Sequence, residues 1–397
     1  MKNVVIVGAS LAGLSSARAL RSQGFDGRLT IIGEEVHRPY DRPPLSKEFL
    51  AGKVEVADIA LEDEDEDLEA EWLLGAAASG LDIAGRGVVL ADGSRVRADG
   101  LVIATGARAR TLPAADGLLG VHTVRTLDDA VGLRQELRPG RRLVVIGAGF
   151  IGAEIASTAH LLDLDVTVLE SLPTPLAGPL GIQMGAIVAQ LHVDNGVRLE
   201  CRAEVRSFLG RHRVEGVELT DGRLLAADVV VVGVGALPNV EWLETSGLEL
   251  GNGVRCGKGG RTSVPEIVSV GDCAAWPAIG LGRHARVEHW TGALERPRHA
   301  VASLLSGSSE GPEPSPPYFW SDQYDVRIQF AGHAREGDIV TVEEGDVAER
   351  RFLAVYRRHG EPVAVLGMNH ARSFTRWRRS LSAAPGAAMS PVVASHA

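Results

Sequence analysis

The stretch from Arg38 to Gly52 reads RPYDRPPLSKEFLAG. Pro43 and Pro44 each lack an N–H and fix φ, so no helix runs through them. Arg42 and Lys47 flank this stiff backbone, as cations would that meet a polar, anionic ligand held against a wall. The bland counterpart is a Pro-rich surface turn whose Arg and Lys are solvated. A second pattern also suits anion chemistry. Gly147-Ala148-Gly149-Phe150-Ile151-Gly152 separates an apolar run from a small-residue segment, and Glu170 follows at about the 20-residue distance at which an acid meets a ribose. Glycines admit a pyrophosphate to the backbone, and a helix N-terminus offers free N–H groups and partial positive charge. A lone glycine motif also arises where strand and helix merely pack, but strand, turn, helix and distal acid together specify a dinucleotide site. Thiol chemistry is not indicated. Cys201, Cys256 and Cys273 are widely spaced with no CxxC or C-x4-C pair, so redox work falls to a bound cofactor.

The elements that position these residues occur twice. NVVIVGASLAGLSSARAL, ending at Leu20, is echoed by RLVVIGAGFIGAEIASTA, ending at Ala159, so Gly8 and Gly13 answer Gly147 and Gly152. Each copy is an all-apolar run typical of a buried parallel strand, a glycine turn and a helix of small residues. Each continues into a second strand closed by an acid, LTIIGEE with Glu34 and VTVLES with Glu170, and is completed by a later run, ADGLVIATGARAR or ADVVVVGVGALPN. Two nucleotide-binding units follow. The first departs from the glycine pattern at Ser10, a small residue whose hydroxyl can itself donate to a phosphate. Further on, TSVPEIVSVGDCAAW predicts a strand ending at Gly-Asp with a small-residue helix after it, and Asp272 alone reads as that helix's N-cap. GSSEGPEPSPPYFW reads as a linker; VRIQFAGHA, DIVTVEE and RFLAVYRR predict three strands, followed by VAVLGMNH and a helix, ARSFTRWRRSL. The last stretch, SAAPGAAMSPVVASHA, reads as a disordered tail.

At 397 residues with 45% hydrophobic and 23% charged, the chain has globular composition and length for two or three domains. A net charge of −10 argues against a nucleic-acid partner. No run of about 20 apolar residues could span a membrane. The apolar N-terminus breaks into a glycine turn instead of a cleavage site, so a cytoplasmic location is expected.

The ordered set VVIVGASLAG, RPPLSKEFL, VIATGAR, RTLDDA, VVIGAGFIGAE, VGDCA, VEHWTGA and FWSDQY resembles the FAD- and NADH-dependent ferredoxin reductases that serve haem-thiolate monooxygenases and ring-hydroxylating dioxygenases. The resemblance spans nearly the whole chain; RPPLSK and FWSDQY are specific to this branch, and the glycine motifs belong to the wider flavoprotein group. Departures are Ser10, the acidic LEDEDEDLEAEW and the Ala-rich tail. It implies an α/β fold of two Rossmann-like, glutathione-reductase-like domains plus a small C-terminal α+β domain: FAD-binding 1–110 with 241–316, NADH-binding 111–240, C-terminal 317–397.

By the same resemblance, Gly8, Ser10, Ala12, Gly13 and Glu34 meet the FAD diphosphate and adenosine ribose, and Arg42, Pro44 and Lys47 lie along the cofactor. Ala78 faces its adenine, Arg125 reaches it from the interdomain segment, Asp272 binds near the ribityl phosphate, and Trp290 lies at the far rim of the flavin. Gly147, Gly149, Ile151, Gly152, Glu154 and Glu170 line the NADH site, and Thr105, Gly106 and Gly235 complete the cofactor set. Lys47 is expected to pair with Glu154 near flavin N5. The implied reaction passes a hydride from NADH to N5 and then single electrons to an iron–sulfur ferredoxin, which feeds an oxygenase; no nucleophile or metal is needed. The alternatives are an NADH-binding redox sensor resembling apoptosis-inducing factor and an NADH oxidase of the same fold, the latter wanting a reactive cysteine by the flavin. NADH is expected over NADPH, because Ser171 to Leu191 contains no Lys or Arg for a 2′-phosphate. Arg372, Arg376, Arg378 and Arg379 around Trp377, with Arg296 and Arg298 after Trp290, form the expected basic docking face for an acidic ferredoxin. The bland reading is arginine stems packed on Trp377.

Overall fold

The computed structural model describes residues 1–115, 117–278, 283–308 and 316–382; almost all of the expected tail and the middle of the expected linker lie outside them. Asn3–Val7 forms the middle of a parallel sheet in the order Ile267–Ser269, Gly100–Ile103, Asn3–Val7, Arg28–Gly33, Ala70–Leu74. Both faces of its apolar run are covered, as a parallel sheet requires, and α1 (Leu11–Ser22) buries Ala12, Gly13, Ser16 and Ala17. At Gly13 a Cβ would stand 1.8 Å from the carbonyl oxygen of Gly8, so only glycine lets this helix close on its strand.

The second sheet repeats the first. After α2 (Leu127–Glu136), its order is Arg198–Cys201, Asp165–Glu170, Arg142–Ile146, Val229–Val232, Val121–His122, again all parallel. Helix α3 (Phe150–Leu161) takes the place of α1, and a Cβ at Gly152 would meet the Gly147 oxygen at 2.1 Å. Helix α4 (Ala177–Asp194) follows. Each unit also carries a three-stranded antiparallel meander, 78–97 in the first and 205–226 in the second.

Past Gly271 the expected helix is absent. A short 3-10 turn, Gly271–Cys273, leads into the strand Ala274–Ala278, which pairs antiparallel with Arg283–Arg286. Pro277 would interrupt a helix begun at Asp272, whereas it is tolerated in this hairpin. Helix α5 (Trp290–Ser306) then packs along α1. The C-terminal sheet has five antiparallel strands, not three or four, in the order Tyr318–Gln323, Val326–Gly332, Glu361–Met368, Arg351–Arg358, Ile339–Asp346. The added strand is the FWSDQ motif itself. Helix α6 (Ala371–Ser382) covers one face through Phe374, Trp377 and Leu381.

Candidate functional site

Pro43–Ser46 is one 3-10 turn, with Arg42 before it and Lys47 after it. Leu45 and Phe49 anchor the loop in an apolar cluster with Tyr40, Ile59, Leu127 and Ala130, so its charges project from a fixed frame. All three nitrogens of the Arg42 guanidinium donate: Nε to Ser10 Oγ at 3.3 Å, Nη1 to the Arg125 oxygen at 2.5 Å, and Nη2 to Glu35 Oε1 at 2.6 Å, with one N–H on each Nη still to spare. Arg125 in turn donates from Nη2 to Asp272 Oδ2 at 2.5 Å and from Nε to the Ala107 oxygen at 2.9 Å. Burial works against the Arg125 charge, but the Asp272 carboxylate outweighs it and holds the guanidinium pKa above its ordinary value. Asp272 is therefore tied as an ion-pair partner, not as a helix cap.

Ser10 occupies the N-cap position of α1, yet its hydroxyl makes no cap bond and turns to Arg42. The first N–H groups of α1 thus lack a side-chain cap at the place where anions bind helices. Ala12 lies beneath the aspartate turn, since a Cβ on Gly271 would come within 2.9 Å of the Ala12 Cβ. Ser10, Ala12, Arg42, Arg125 and Asp272, scattered over 262 residues of sequence, surround one helix end. Glu34 is exposed with no hydrogen-bond partner among the described residues. Its neighbour Glu35, which sequence reasoning passed over, is bound on both oxygens, by Arg42 and by Tyr40 Oη at 2.5 Å. Tyr40 Oη also accepts from Leu127 N at 2.9 Å, and burial, with Glu35 beside it, raises its pKa.

The remaining first-unit positions are partly structural. Thr105 Oγ1 donates to the Asn239 oxygen at 2.6 Å and the Asn239 side chain donates back at 3.0 Å, lacing the first unit to the return from the second. Gly106 and Gly235 have φ of +66° and +105° with open space at their Cβ positions. Ala78 begins the first meander and packs against the core of that unit.

Lys47 and Glu154 meet as expected, Nζ to Oε2 at 2.9 Å, and only 3% of the Glu154 side chain is exposed. The carboxylate has further donors that sequence reasoning missed: Ser46 Oγ reaches Oε2 at 2.5 Å and Ser321 Oγ reaches Oε1 at 2.8 Å. Glu154, Ser157 and Thr158 share one face of α3 by their i, i+3, i+4 spacing. Thr158 Oγ1 donates to the Ser46 oxygen at 2.8 Å, and Ser157 Oγ accepts from Tyr324 N at 2.6 Å. One helix face therefore joins the PPLSK loop to the C-terminal sheet.

An aromatic strip runs from α5 into that sheet. Trp290 Nε1 donates to Asp41 Oδ1 at 2.7 Å; burial raises the Asp41 pKa and this bond opposes it. The Trp290 ring meets Trp320 edge-on at 5.9 Å, Trp320 stacks on Tyr318 at 6.0 Å, and the guanidiniums of Arg327 and Arg378 lie over Trp320 and Tyr318 at 5.9 and 4.1 Å. Before it, Phe319 sits between Phe150, at 4.4 Å, and His289, at 5.2 Å. Arg372, Arg376 and Arg379 share the outer face of α6, Arg376 pairing with Glu344 at 2.5 Å. The arginine over Trp377 is Arg357, at 5.9 Å. The expected pairing of Arg296 with Arg298 in one patch fails: Arg296 is half-buried over Trp276 at 5.0 Å, whereas Arg298 is exposed.

The second glycine turn is more open. A Cβ at Gly149 would touch nothing within 4 Å, and Ile151 is 48% exposed at the head of α3. Glu170 closes its own turn, Oε2 accepting from Ala148 N at 3.0 Å and Oε1 from Leu172 N at 2.9 Å. Leu172, 53% exposed, lies beside it. Cys256 and Cys273 are buried in the first unit, where burial pushes the Cys256 thiol up to about 12 and raises Cys273 as well; such thiols are inert. Among the described residues no cluster of metal-ligating side chains occurs and no helix is long and apolar enough to cross a membrane.

Residues 2–297 match the family described as pyridine nucleotide-disulphide oxidoreductase, and residues 318–393 match the reductase C-terminal domain. The chain is 38% identical to the ferredoxin reductase component of chlorobenzene dioxygenase from Cupriavidus sp. strain PS12, over 96% of this chain and 92% of that one. It is 34% identical to putidaredoxin reductase of Pseudomonas putida, covering 96% and 92%. The crystal structure of the covalent putidaredoxin reductase–putidaredoxin complex contains a chain that superposes with a TM-score of 0.91 at 33% identity, covering 96% of this chain and 93% of that one. Such a family implies FAD and NAD(H), and the site fits FAD on its own geometry. The α1 end has no side-chain cap, Arg42 reaches it, and the buried Nδ1 of the half-buried His289 at the start of α5 has no hydrogen-bond partner among the described residues. Burial pushes the pKa of His289 down to about 4, which leaves a neutral imidazole in want of a hydrogen-bond partner.

Proposed function

Because the chain belongs to the pyridine nucleotide-disulphide oxidoreductase family and carries a reductase C-terminal domain, we propose that it is an NADH:ferredoxin reductase that supplies an oxygenase through an iron–sulfur ferredoxin. Bound FAD supplies the chemistry of taking electrons in pairs from NADH and giving them up singly. The protein's own part is binding, orientation and exclusion of water. Arg42, Ser10 and the N–H groups of α1 hold the diphosphate, with Gly8 and Gly13 allowing its approach. Arg125 positions Asp272 for the ribityl side, Glu34 offers its free carboxylate to the adenosine ribose, and Ala78 flanks the adenine. Pro44 and Trp290 wall the ring system.

In the second unit, Gly147, Gly149, Ile151 and Gly152 line the nicotinamide nucleotide, Glu170 accepts from its ribose, and Gly235 leaves room for it. Lys47 and Glu154 stand where the two units meet and orient the reacting ring. Trp320, Tyr318 and the arginines over them make the exit toward an acidic ferredoxin. Residues 1–110 with 241–316, 111–240 and 317–397 are the corresponding domains, and the cytoplasm is the location consistent with free thiols and no membrane-spanning helix among the described residues.

The buried Lys47–Glu154 pair carries this reading, because it links a cofactor loop to the helix of a nucleotide turn. A redox sensor would share that pair, but the similar chains are named as reductases. An NADH oxidase would want a reactive thiol, and the two cysteines of the first unit are buried. Stopped-flow reduction by NADH, followed by reoxidation with ferredoxins encoded nearby, is the test. Fast reduction with a ferredoxin reoxidising the enzyme faster than oxygen does is expected; rapid oxygen consumption with no competent ferredoxin would overturn it.

A further inference from the structure

Glu154 is held from two sides. Ser46 and Lys47 meet one oxygen from the PPLSK loop, and Ser321 meets the other from the first strand of the C-terminal sheet. Ser321 and Gln323 are both fully buried. Gln323 Nε2 donates to Ser321 Oγ at 3.1 Å, which leaves the hydroxyl hydrogen of Ser321 for the carboxylate. Gln323 Oε1 is itself buried without a partner among the described residues. A buried unpaired acceptor costs free energy, so the strand keeps a hydrogen-bonding arrangement that apolar residues would avoid. Its visible outcome is a fixed donor at Glu154 Oε1. With Oε1 clamped, Oε2 is directed at Lys47; without the clamp, a carboxylate on a flexible stem has other rotamers.

We propose that Ser321, oriented by Gln323, is a positioning residue: it fixes the Glu154 carboxylate against Lys47 and so makes the C-terminal sheet part of the nicotinamide site. The proposal rests on the reading of Lys47 and Glu154 given above. Ser321 is fully buried and bonds Glu154, so its effect passes through that carboxylate.

The test compares holoenzymes carrying Ser321→Ala, Glu154→Gln and both. Ser321→Ala is expected to lower the limiting rate of flavin reduction by NADH roughly tenfold, the factor equivalent to one lost hydrogen bond to a charged group. FAD content and the dissociation constant of NAD⁺, measured by calorimetry on the oxidised enzyme, stay near wild type. The flavin midpoint potential moves to a more positive value, because a disoriented Glu154 neutralises Lys47 less. In the Glu154→Gln background the same Ser321→Ala change costs under about twofold, since coupled residues are non-additive. A wild-type rate and potential in Ser321→Ala, an equal loss in both backgrounds, or a loss confined to NAD⁺ affinity would overturn the proposal. If Glu154→Gln itself left reduction unchanged, the underlying reading of the pair would fall instead. Should Ser321→Ala not accumulate as holoprotein, Gln323→Leu carries the same test with a smaller loss in the same direction.

Discussion

The two dinucleotide units share strand order, meander and crossover helix, yet their glycine turns are finished differently. At the first, side chains from the loop, the interdomain segment and the aspartate turn converge, and Arg42 and Arg125 make five hydrogen bonds between them. At the second, Glu170 satisfies its own turn, Gly149 faces open space, and apolar Ile151 and Leu172 stand exposed. A cofactor that stays needs a preorganised, charged enclosure; a substrate that must leave each cycle is served by an open turn. On the function proposed above, the same fold unit yields a retaining site or an exchanging one, according to which distant loops are brought over it.

The largest expected effect breaks the enclosure. Arg125→Ala leaves Asp272 without its partner, and losing one member of a half-buried, hydrogen-bonded pair costs about 3 kcal/mol. FAD affinity, measured by titrating the apoprotein and following flavin fluorescence, should fall by about 10²-fold or more. NAD⁺ affinity should stay within about twofold, since the sites are distinct. Equal losses at both sites would end the comparison between them.

Next comes nucleotide choice at the open turn. NADPH would place its 2′-phosphate beside Glu170, and no Lys or Arg occurs from Ser171 to Leu191. An uncompensated charge there costs on the order of 3 kcal/mol, so kcat/KM should favour NADH by about 10²-fold. Glu170→Ala narrows the gap without touching FAD content. Similar specificity constants in the wild type would show that openness, not charge, governs the second site.

A smaller effect belongs to the proposed partner face on α6, which neither unit supplies. Arg372 and Arg379 have no ion-pair partner among the described residues, whereas Arg376 is engaged by Glu344. Arg372→Glu with Arg379→Glu should raise the ferredoxin KM roughly fivefold at low salt and flatten its ionic-strength dependence. Ferricyanide reduction is unaffected. Unchanged ferredoxin kinetics at every salt concentration would move docking off α6.

The smallest effect concerns acid stability of the second unit. Hydrogen bonds from Arg213, and then from Arg141, hold the Glu136 carboxyl at about 2, below its ordinary 4.5. A depressed carboxyl contributes stability above its unfolded pKa and loses it as pH falls through the folded one. The contribution is thus present at neutral pH and disappears between about 4.5 and about 2. Arg213→Ala should lower Tm by about 1 °C at pH 7, as a loss near 1 kcal/mol does in a chain of 397 residues, and have almost no effect near pH 2. A constant decrement across that range would mean the arginine acts through packing.

Much of this was legible in the sequence because glycine turns, buried parallel strands and distal acids are local patterns with fixed periods. The duplicated sheets were found that way, whereas the Lys47–Glu154 pair came through the resemblance. What escaped depends on long-range registration. Nothing in the spacing of Ser321 or Gln323 points 167 residues back to Glu154. Trp320 stood inside a quoted motif, but its ring contact with Trp290 follows only from the strand that carries it. Glu34 and Glu35 are adjacent acids, and which one is tied depends on where Arg42 projects. The turn at Asp272 misled because an aspartate before small residues is also how a helix begins, and Pro277 was the signal against it. Arg296 looked like surface until α5 turned it onto Trp276.

The shared face of α3 also has a consequence for synthesis. Domains of a chain fold in the order in which they leave the ribosome, and Glu154 and Ser157 emerge long before Ser321 and Tyr324. Through that interval the carboxylate waits for its last donor and the helix face for its covering strand. The hydrogen-bond set of Glu154 is therefore completed only when the C-terminal sheet is made, and a chain broken off before residue 321 holds both parallel sheets and the Lys47–Glu154 pair but lacks the donor to Oε1.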